Sequence, residues 1–341
     1  MFDRRTVMGF TAMLAALPGL AKGQAGQANA QNTQQEGLPL APTSGPGLRP
    51  SLPSFDIWPG DAPGGENVTV EEKVVLRKVG GDPNDTAFYH VRKPWLTVRK
   101  PEKPNGAAIL IAPGGGYVRV AVSKAGSDID AWLAGLGYTV FTMDYRLPGD
   151  NWAAGPDVAL QDVQRAIRLI RSKSSDFGLD PARIGVAGFS AGGHVAGLAA
   201  TRFADATYTP IDAVDSLSAK PTVVAMCYPV VTATLPYAHV GSVNELIGRT
   251  PTDEQRKRAS VELHVPADAA PTFVCGTTDD PVVPMHNAML MFDALKTQKI
   301  PSELHLYEGA THGFPLRDKA GNIQPWALTA LAFMERHGMK A

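Results

Sequence analysis

Arg183-Ile184-Gly185-Val186-Ala187-Gly188-Phe189-Ser190-Ala191-Gly192-Gly193-His194 is the stretch on which the reading of this chain turns. Its first five residues form a short run rich in apolar residues, as a strand buried in a sheet would be. Small residues then crowd around Ser190, and His194 to Ala200 has the composition of a packed helix. A serine held between a strand and a helix in Gly-x-Ser-x-Gly sits on a sharp, strained turn. A Cβ at either flanking glycine would collide with the neighbouring strand or helix. The turn exposes the serine Oγ at a helix N-terminus, where backbone N–H groups favour developing negative charge. The competing reading is a plain glycine-rich helix cap.

On both sides of this stretch the pattern alternates between strand and helix. Val68 to Val79 and Trp95 to Arg99 read as strands, and Ala107 to Ile111 is a continuous apolar run. Ile129, Trp132, Leu133 and Leu136 have helical spacing and are followed by Gly137. A strand from Tyr138 to Met143 precedes a helix from Pro156 to Ser174. There Leu160, Val163, Ile167 and Ile170 form an apolar stripe, with Arg165, Arg168 and Arg171 expected to face outward. Further strands are expected at Thr222–Val230, Thr272–Cys275 and Glu303–Tyr307, with helices near Asp253–Leu263, Met285–Thr297 and Pro325–Arg336. Alternation of this kind predicts a doubly wound, mostly parallel sheet with helices on both faces.

A serine nucleophile needs a base, and the base needs a carboxylate to orient it. After a Gly-x-Ser-x-Gly turn the chain order is serine, acid, histidine. The strand beginning at Thr272 runs into Gly276-Thr277-Thr278-Asp279-Asp280-Pro281, so the acid is expected here; Asp279 is the first choice and Asp280 the second. The next strand ends in Glu308-Gly309-Ala310-Thr311-His312-Gly313-Phe314. Of the eight histidines, His312 alone lies beyond the acid in a loop just past a strand, and imidazole suits a base near neutrality. His194 is expected to pack or hydrogen-bond on its helix instead. Upstream, Pro113-Gly114-Gly115-Gly116-Tyr117 follows the Ala107–Ile111 strand. Its amides can approach a ligand unhindered, which nominates Gly115 and Gly116, with Ala191, as oxyanion donors. A phosphate cradle is the rival for this loop, but no Gly-Lys-Ser/Thr follows.

Composition narrows the partners. Lys+Arg 32 against Asp+Glu 33 gives a net charge of −1, whereas a phosphate backbone calls for a basic excess, so nucleic acid is not expected. Cys227 and Cys275 are too far apart for a zinc knuckle and lie in apolar runs, so both read as buried hydrophobes. No histidine pair has metal-ligand spacing, and neither metal nor cofactor is expected. Residues 1–30 read as an export signal, with Arg4-Arg5, a mildly apolar Val7–Leu20 segment and Ala28-Asn29-Ala30 as a cleavage site. The arginine pair favours the twin-arginine route, although Asp3, Met8 and Gly9 depart from its full motif. A periplasmic or secreted protein is expected, with no membrane insertion once the signal is removed. Residues 31–66 are rich in Gln, Pro and Gly and read as a flexible leader, apart from Ile57-Trp58-Pro59-Gly60, which is expected to dock. A single domain then spans residues 67–339.

Together these motifs resemble those of the α/β-hydrolases, and more narrowly the acetyl xylan esterase and feruloyl esterase-like carboxylesterases. The resemblance covers about residues 56–336. It rests on Trp58-Pro59-Gly60, Pro113 to Tyr117, Asp144-Tyr145-Arg146-Leu147, Leu160 to Arg168, Gly188 to His194, Asp279 to Pro284 and His312-Gly313-Phe314. It implies hydrolysis of short acyl esters, small or on oligosaccharides, through an acyl-enzyme on Ser190. About 40 residues separate Val230 from the acid strand, too few for a large lid, so an open site is expected. A serine peptidase of related fold and a non-catalytic carbohydrate-binding protein are the alternatives.

Overall fold

The computed structural model describes residues 52–78, 85–122 and 127–340. The expected export signal and the first part of the expected leader lie outside them. Among the described residues there are ten strands: β1 (Ser54–Asp56), β2 (Lys73–Leu76), β3 (Thr86–Tyr89), β4 (Trp95–Arg99), β5 (Ala108–Ala112), β6 (Thr139–Asp144), β7 (Ile184–Phe189), β8 (Val223–Cys227), β9 (Thr272–Thr277) and β10 (Ser302–Tyr307). The helices are α1 (Asp128–Gly135), α2 (Val158–Ser172), α3 (Ser174–Phe177), α4 (Ala191–Thr201), α5 (Val240–Ile247), α6 (Asp253–Ala259), α7 (His286–Thr297) and α8 (Pro325–Met334). Eight strands make one sheet in the order β1-β4-β6-β5-β7-β8-β9-β10, and β2 and β3 form a separate hairpin. β4 is antiparallel to both neighbours, and the six strands from β6 to β10 are parallel.

The central strands are apolar throughout because both of their faces are covered. Ala108, Leu110, Val224, Met226 and Val274 point into a core shared with α2, α4 and α7. Their alternates Ile109, Ile111, Val223, Ala225, Phe273 and Cys275 join Leu133 of α1 and Phe333 of α8 on the other side. Side chains of a strand alternate between faces, so one unbroken apolar run feeds two cores. Cys227 and Cys275 are free and buried, as expected. Among the described residues no helix is long and apolar enough to cross a membrane.

Two expectations are corrected. The leader does not extend to residue 66, because Ser54–Asp56 pairs with β4 as the outermost strand of the sheet. Trp58 anchors the segment that follows. Its Nε1 donates to Asp162 at 2.8 Å, and Arg146 reaches the same carboxylate and the Pro63 carbonyl. The Arg146–Asp162 pair is wholly buried, and its remaining donors are taken up by Gln161 and by the faces of Trp58 and Trp152. A charge pair withdrawn from water persists only when so fully satisfied. The second correction concerns α2, where Arg165 is buried and Arg168 and Arg171 are half-buried against a neighbouring segment. Arg165 is 1% exposed and binds Asp212, Asp215 and the Ile57 carbonyl. Arg168 and Arg171 donate to carbonyls of residues 217, 218 and 220. The connection from α4 to β8 lies across this helix and meets its cationic face with carbonyls and carboxylates.

β5 has β6 on one side and β7 on the other, so the chain leaves it in opposite directions. The loops after β5 and β7 therefore part at the carboxyl ends of those strands, the place where open α/β sheets bind ligands. Ser190 follows β7 and the three-glycine loop follows β5.

Candidate active site

Ser190 has φ 55° and ψ −119°, a left-handed conformation imposed by the tight step from β7 into α4. The surrounding glycines are required sterically. A Cβ on Gly188 would fall 2.1 Å from the Gly192 carbonyl oxygen, and one on Gly192 would fall 2.1 Å from that of Ala112. Side chains at these positions would push α4 away from β7 and β5. The Ser190 amide donates to the Cys227 carbonyl, and the Ser190 carbonyl accepts from Val230 and Gly193, so the backbone of the turn is held from three directions.

The Ser190 Oγ lies 2.8 Å from His312 Nε2, and His312 Nδ1 lies 2.8 Å from Asp280 Oδ2. The carboxylate partner is thus Asp280 and not Asp279. Asp279 is exposed, with its carboxylate turned to the Thr278 hydroxyl and its amide donating to the Gly309 carbonyl. The Asp280 side chain is only 2% exposed, and its second oxygen accepts the amides of Val282 and Val283 at 2.8 and 2.9 Å. β9 continues to Thr277, two residues past the expected end. The signal in the sequence is Asp280-Pro281, since an aspartate before proline starts a turn by binding amides two and three residues on.

His312 is held by its loop. Thr277 Oγ1 donates to the Thr311 carbonyl at 2.8 Å, and the imidazole packs edge-to-face on Tyr228 with ring centroids 5.2 Å apart. Phe314 packs on the same tyrosine.

The three-glycine loop lies against the serine, as expected. A Cβ on Gly114 would come within 3.1 Å of the Ser190 Cβ, and one on Gly115 would strike the Arg119 carbonyl at 1.9 Å. Gly115 and Gly116 have φ of 144° and 66°, conformations natural to glycine. The loop is tied down by Tyr145, whose hydroxyl donates to the Pro113 carbonyl, and by the buried Tyr117. Ala191 begins α4, so its amide is one of the helix's unpaired N-terminal donors.

His194 does hydrogen-bond on its helix. Its Nε2 is 2.8 Å from the Ala259 carbonyl, which can only accept, so Nδ1 accepts from the Tyr117 hydroxyl at 2.7 Å. Burial holds the imidazole down to about 4. The unfolded chain takes up this proton near pH 6.5 and the folded chain does not, so stability is lost as pH falls from about 6.5 to 4. His194→Gln keeps both hydrogen bonds without a titrating group. Its urea-unfolding free energy should fall less over that window, by on the order of 3 kcal/mol; parallel curves for variant and parent would refute this account.

No motif or spacing marks His239. It caps α5, with Nδ1 2.8 Å from the Ser242 Oγ and accepting the Ser242 amide at 3.3 Å. Burial, then the charge of His312, lowers its pKa to about 4. The loop before it exposes Leu235 and Tyr237, the latter stacked on His286 at 3.8 Å. Among the described residues no group of three or more His, Cys, Asp or Glu side chains is gathered to hold a metal.

A mostly parallel sheet with a serine on its strand–helix turn, and a carboxylate and an imidazole following the last two sheet strands, β9 and β10, defines an α/β-hydrolase. Within that class the chain belongs to the BD-FAE family, whose model matches residues 96–295, more than half of its length. It is 34% identical over 205 residues to endo-1,4-beta-xylanase B of Butyrivibrio fibrisolvens (60% of this chain, 32% of that protein). It is 26% identical over 222 residues to the acetylxylan esterase of Xylanibacter ruminicola (63% and 42%). The chain thus spans well under half the length of these two curated relatives. Among solved structures it is similar to an acetyl ester-xyloside bifunctional hydrolase from Caldicellulosiruptor lactoaceticus, with TM-score 0.68 and 29% identity, covering 86% of this chain and all of that one.

Proposed function

We propose that this protein is a serine carboxylic-ester hydrolase that removes short acyl groups, acetyl above all, from carbohydrate alcohols. The observation that carries this reading is the unbroken line Ser190 Oγ–His312 Nε2 and His312 Nδ1–Asp280 Oδ2, each link 2.8 Å, beside the glycine loop. His312 takes the Ser190 proton as Oγ attacks the acyl carbonyl, and Asp280 orients the ring and stabilises the imidazolium. The amides of Ala191 and of Gly115 or Gly116 bind the oxyanion. His312 then protonates the departing alcohol, and water, activated by the same imidazole, releases the acid from the acyl-enzyme. The carbohydrate alcohol is supported by the relatives, an acetylxylan esterase and an acetyl ester-xyloside hydrolase among them.

Acetate release from acetylated xylo-oligosaccharides tests this reading, alongside p-nitrophenyl esters of increasing chain length. The expected result is acetate release and a kcat/KM that falls beyond the short acyl groups. A preference for long-chain esters, or inert acetylated sugars, would overturn it. The proposal includes export of the mature chain from a precursor cleaved after Ala30. A mature N-terminus still carrying residues 1–30 in the producing cell would refute that part.

A further inference from the structure

We propose that His239 is a substrate-binding residue whose Nε2–H donates a hydrogen bond to a hydroxyl on the alcohol side of the ester, next to the scissile oxygen. The inference rests on the hydrolase reading above and goes beyond it, because it assigns a specificity contact.

The tautomer follows from the partners. A backbone amide can only donate, and the Ser242 amide points at His239 Nδ1. Nδ1 is therefore the acceptor, and a neutral imidazole carries its proton on Nε2. That nitrogen has no protein partner among the described residues, although the side chain is half-buried. A half-buried donor left unpaired is costly unless water or a ligand meets it.

Position points to the alcohol side. His239 lies in the field of both His312 and Asp280, and His312 delivers its proton to the leaving oxygen. The Ser242 hydroxyl that backs His239 is itself 3.9 Å from where a Gly116 Cβ would stand. The His239–Ser242 pair thus adjoins the oxyanion loop, within reach of the charge of the catalytic imidazole. Gly241 leaves the ring edge uncovered, since a Cβ there would stand 3.2 and 3.4 Å from the His239 Cε1 and Nε2. A hydroxyl on the carbon beside the esterified one is the feature that separates polyol and sugar esters from simple alkyl esters. A neutral N–H at this place reads that feature without adding charge next to the imidazolium.

The test compares glyceryl monoacetate with propyl acetate, two esters of like size that differ in neighbouring hydroxyls. Two variants guard against misfolding. His239→Asn keeps a helix-capping oxygen for the Ser242 amide but is too short to reach substrate. His239→Phe keeps the ring without its N–H. Both should lower kcat/KM for glyceryl monoacetate about tenfold while propyl acetate stays within about twofold of the parent. An equal fall on both esters would show that His239 positions the imidazole instead, and no fall on either would show that it has no role; each overturns the inference. A parent enzyme without preference for the hydroxylated ester overturns it as well. If acetylated sugars prove inert while the His239-dependent polyol preference holds, the sugar reading fails and this contact stands. A parent enzyme inert toward both esters refutes the hydrolase reading and the contact together.

Discussion

Ser190→Ala is expected to reduce kcat for p-nitrophenyl acetate by on the order of 10³–10⁶-fold. The substitution removes one atom, the Oγ at 2.8 Å from His312 Nε2, and with it the covalent route. What remains is the binding and oxyanion contribution of the glycine loop and the first turn of α4, which acts on water alone. Alanine accepts the positive φ of residue 190 no better and no worse than serine, and the four backbone hydrogen bonds of residue 190 do not involve the side chain. The unfolding midpoint should therefore stay close to the parent's, which separates loss of chemistry from loss of fold. An organophosphonate should label Ser190 in the parent and leave the variant unlabelled. Parent-like turnover by a folded Ser190→Ala protein would remove the acyl-enzyme from the account.

The readable parts of this chain were those in which local pattern and tertiary role coincide. Ala108–Ala112 and Val223–Cys227 are apolar at every position because both faces are covered, and the glycines at 188 and 192 are there because carbonyls stand 2.1 Å from any Cβ. Ser190 follows from its Gly-x-Ser-x-Gly turn between strand and helix, and His312 from its place after the acid in a loop past a strand. What escaped depended on partners distant in sequence. Arg165 looks like a solvent-facing residue until the 205–220 segment is seen across it with Asp212 and Asp215. Ser54–Asp56 is only three residues long, and its composition says nothing of the β4 edge that receives it. α5 and its cap His239 went unseen because Val240–Ile247 is a short helix with no acidic first turn. The place of His239 depends on its bond to Ser242 and on the field of His312, which no spacing reveals. The choice between Asp279 and Asp280 is made in the turn beyond β9, where the Val282 and Val283 amides hold the Asp280 carboxylate.

That one-residue choice makes the sharpest paired test. Asp280→Asn is expected to lower kcat by on the order of 10³–10⁴-fold, and Asp279→Asn to leave it within about twofold. In the first variant Oδ1 can still accept the Val282 and Val283 amides, so the turn survives. The group facing His312 Nδ1 at 2.8 Å then becomes an NH₂, which can only donate. Nδ1 must accept, the ring proton moves to Nε2, and the base that should take the Ser190 proton already carries one. The fall should appear in kcat more than in KM, since no atom that binds the ester has changed. Asp279 has no such reach, because its carboxylate is exposed and bonded to the Thr278 hydroxyl beside it. If Asp279→Asn proved the damaging change and Asp280→Asn the silent one, the carboxylate–imidazole contact would be misplaced, and with it the proton transfer that the proposed hydrolysis requires.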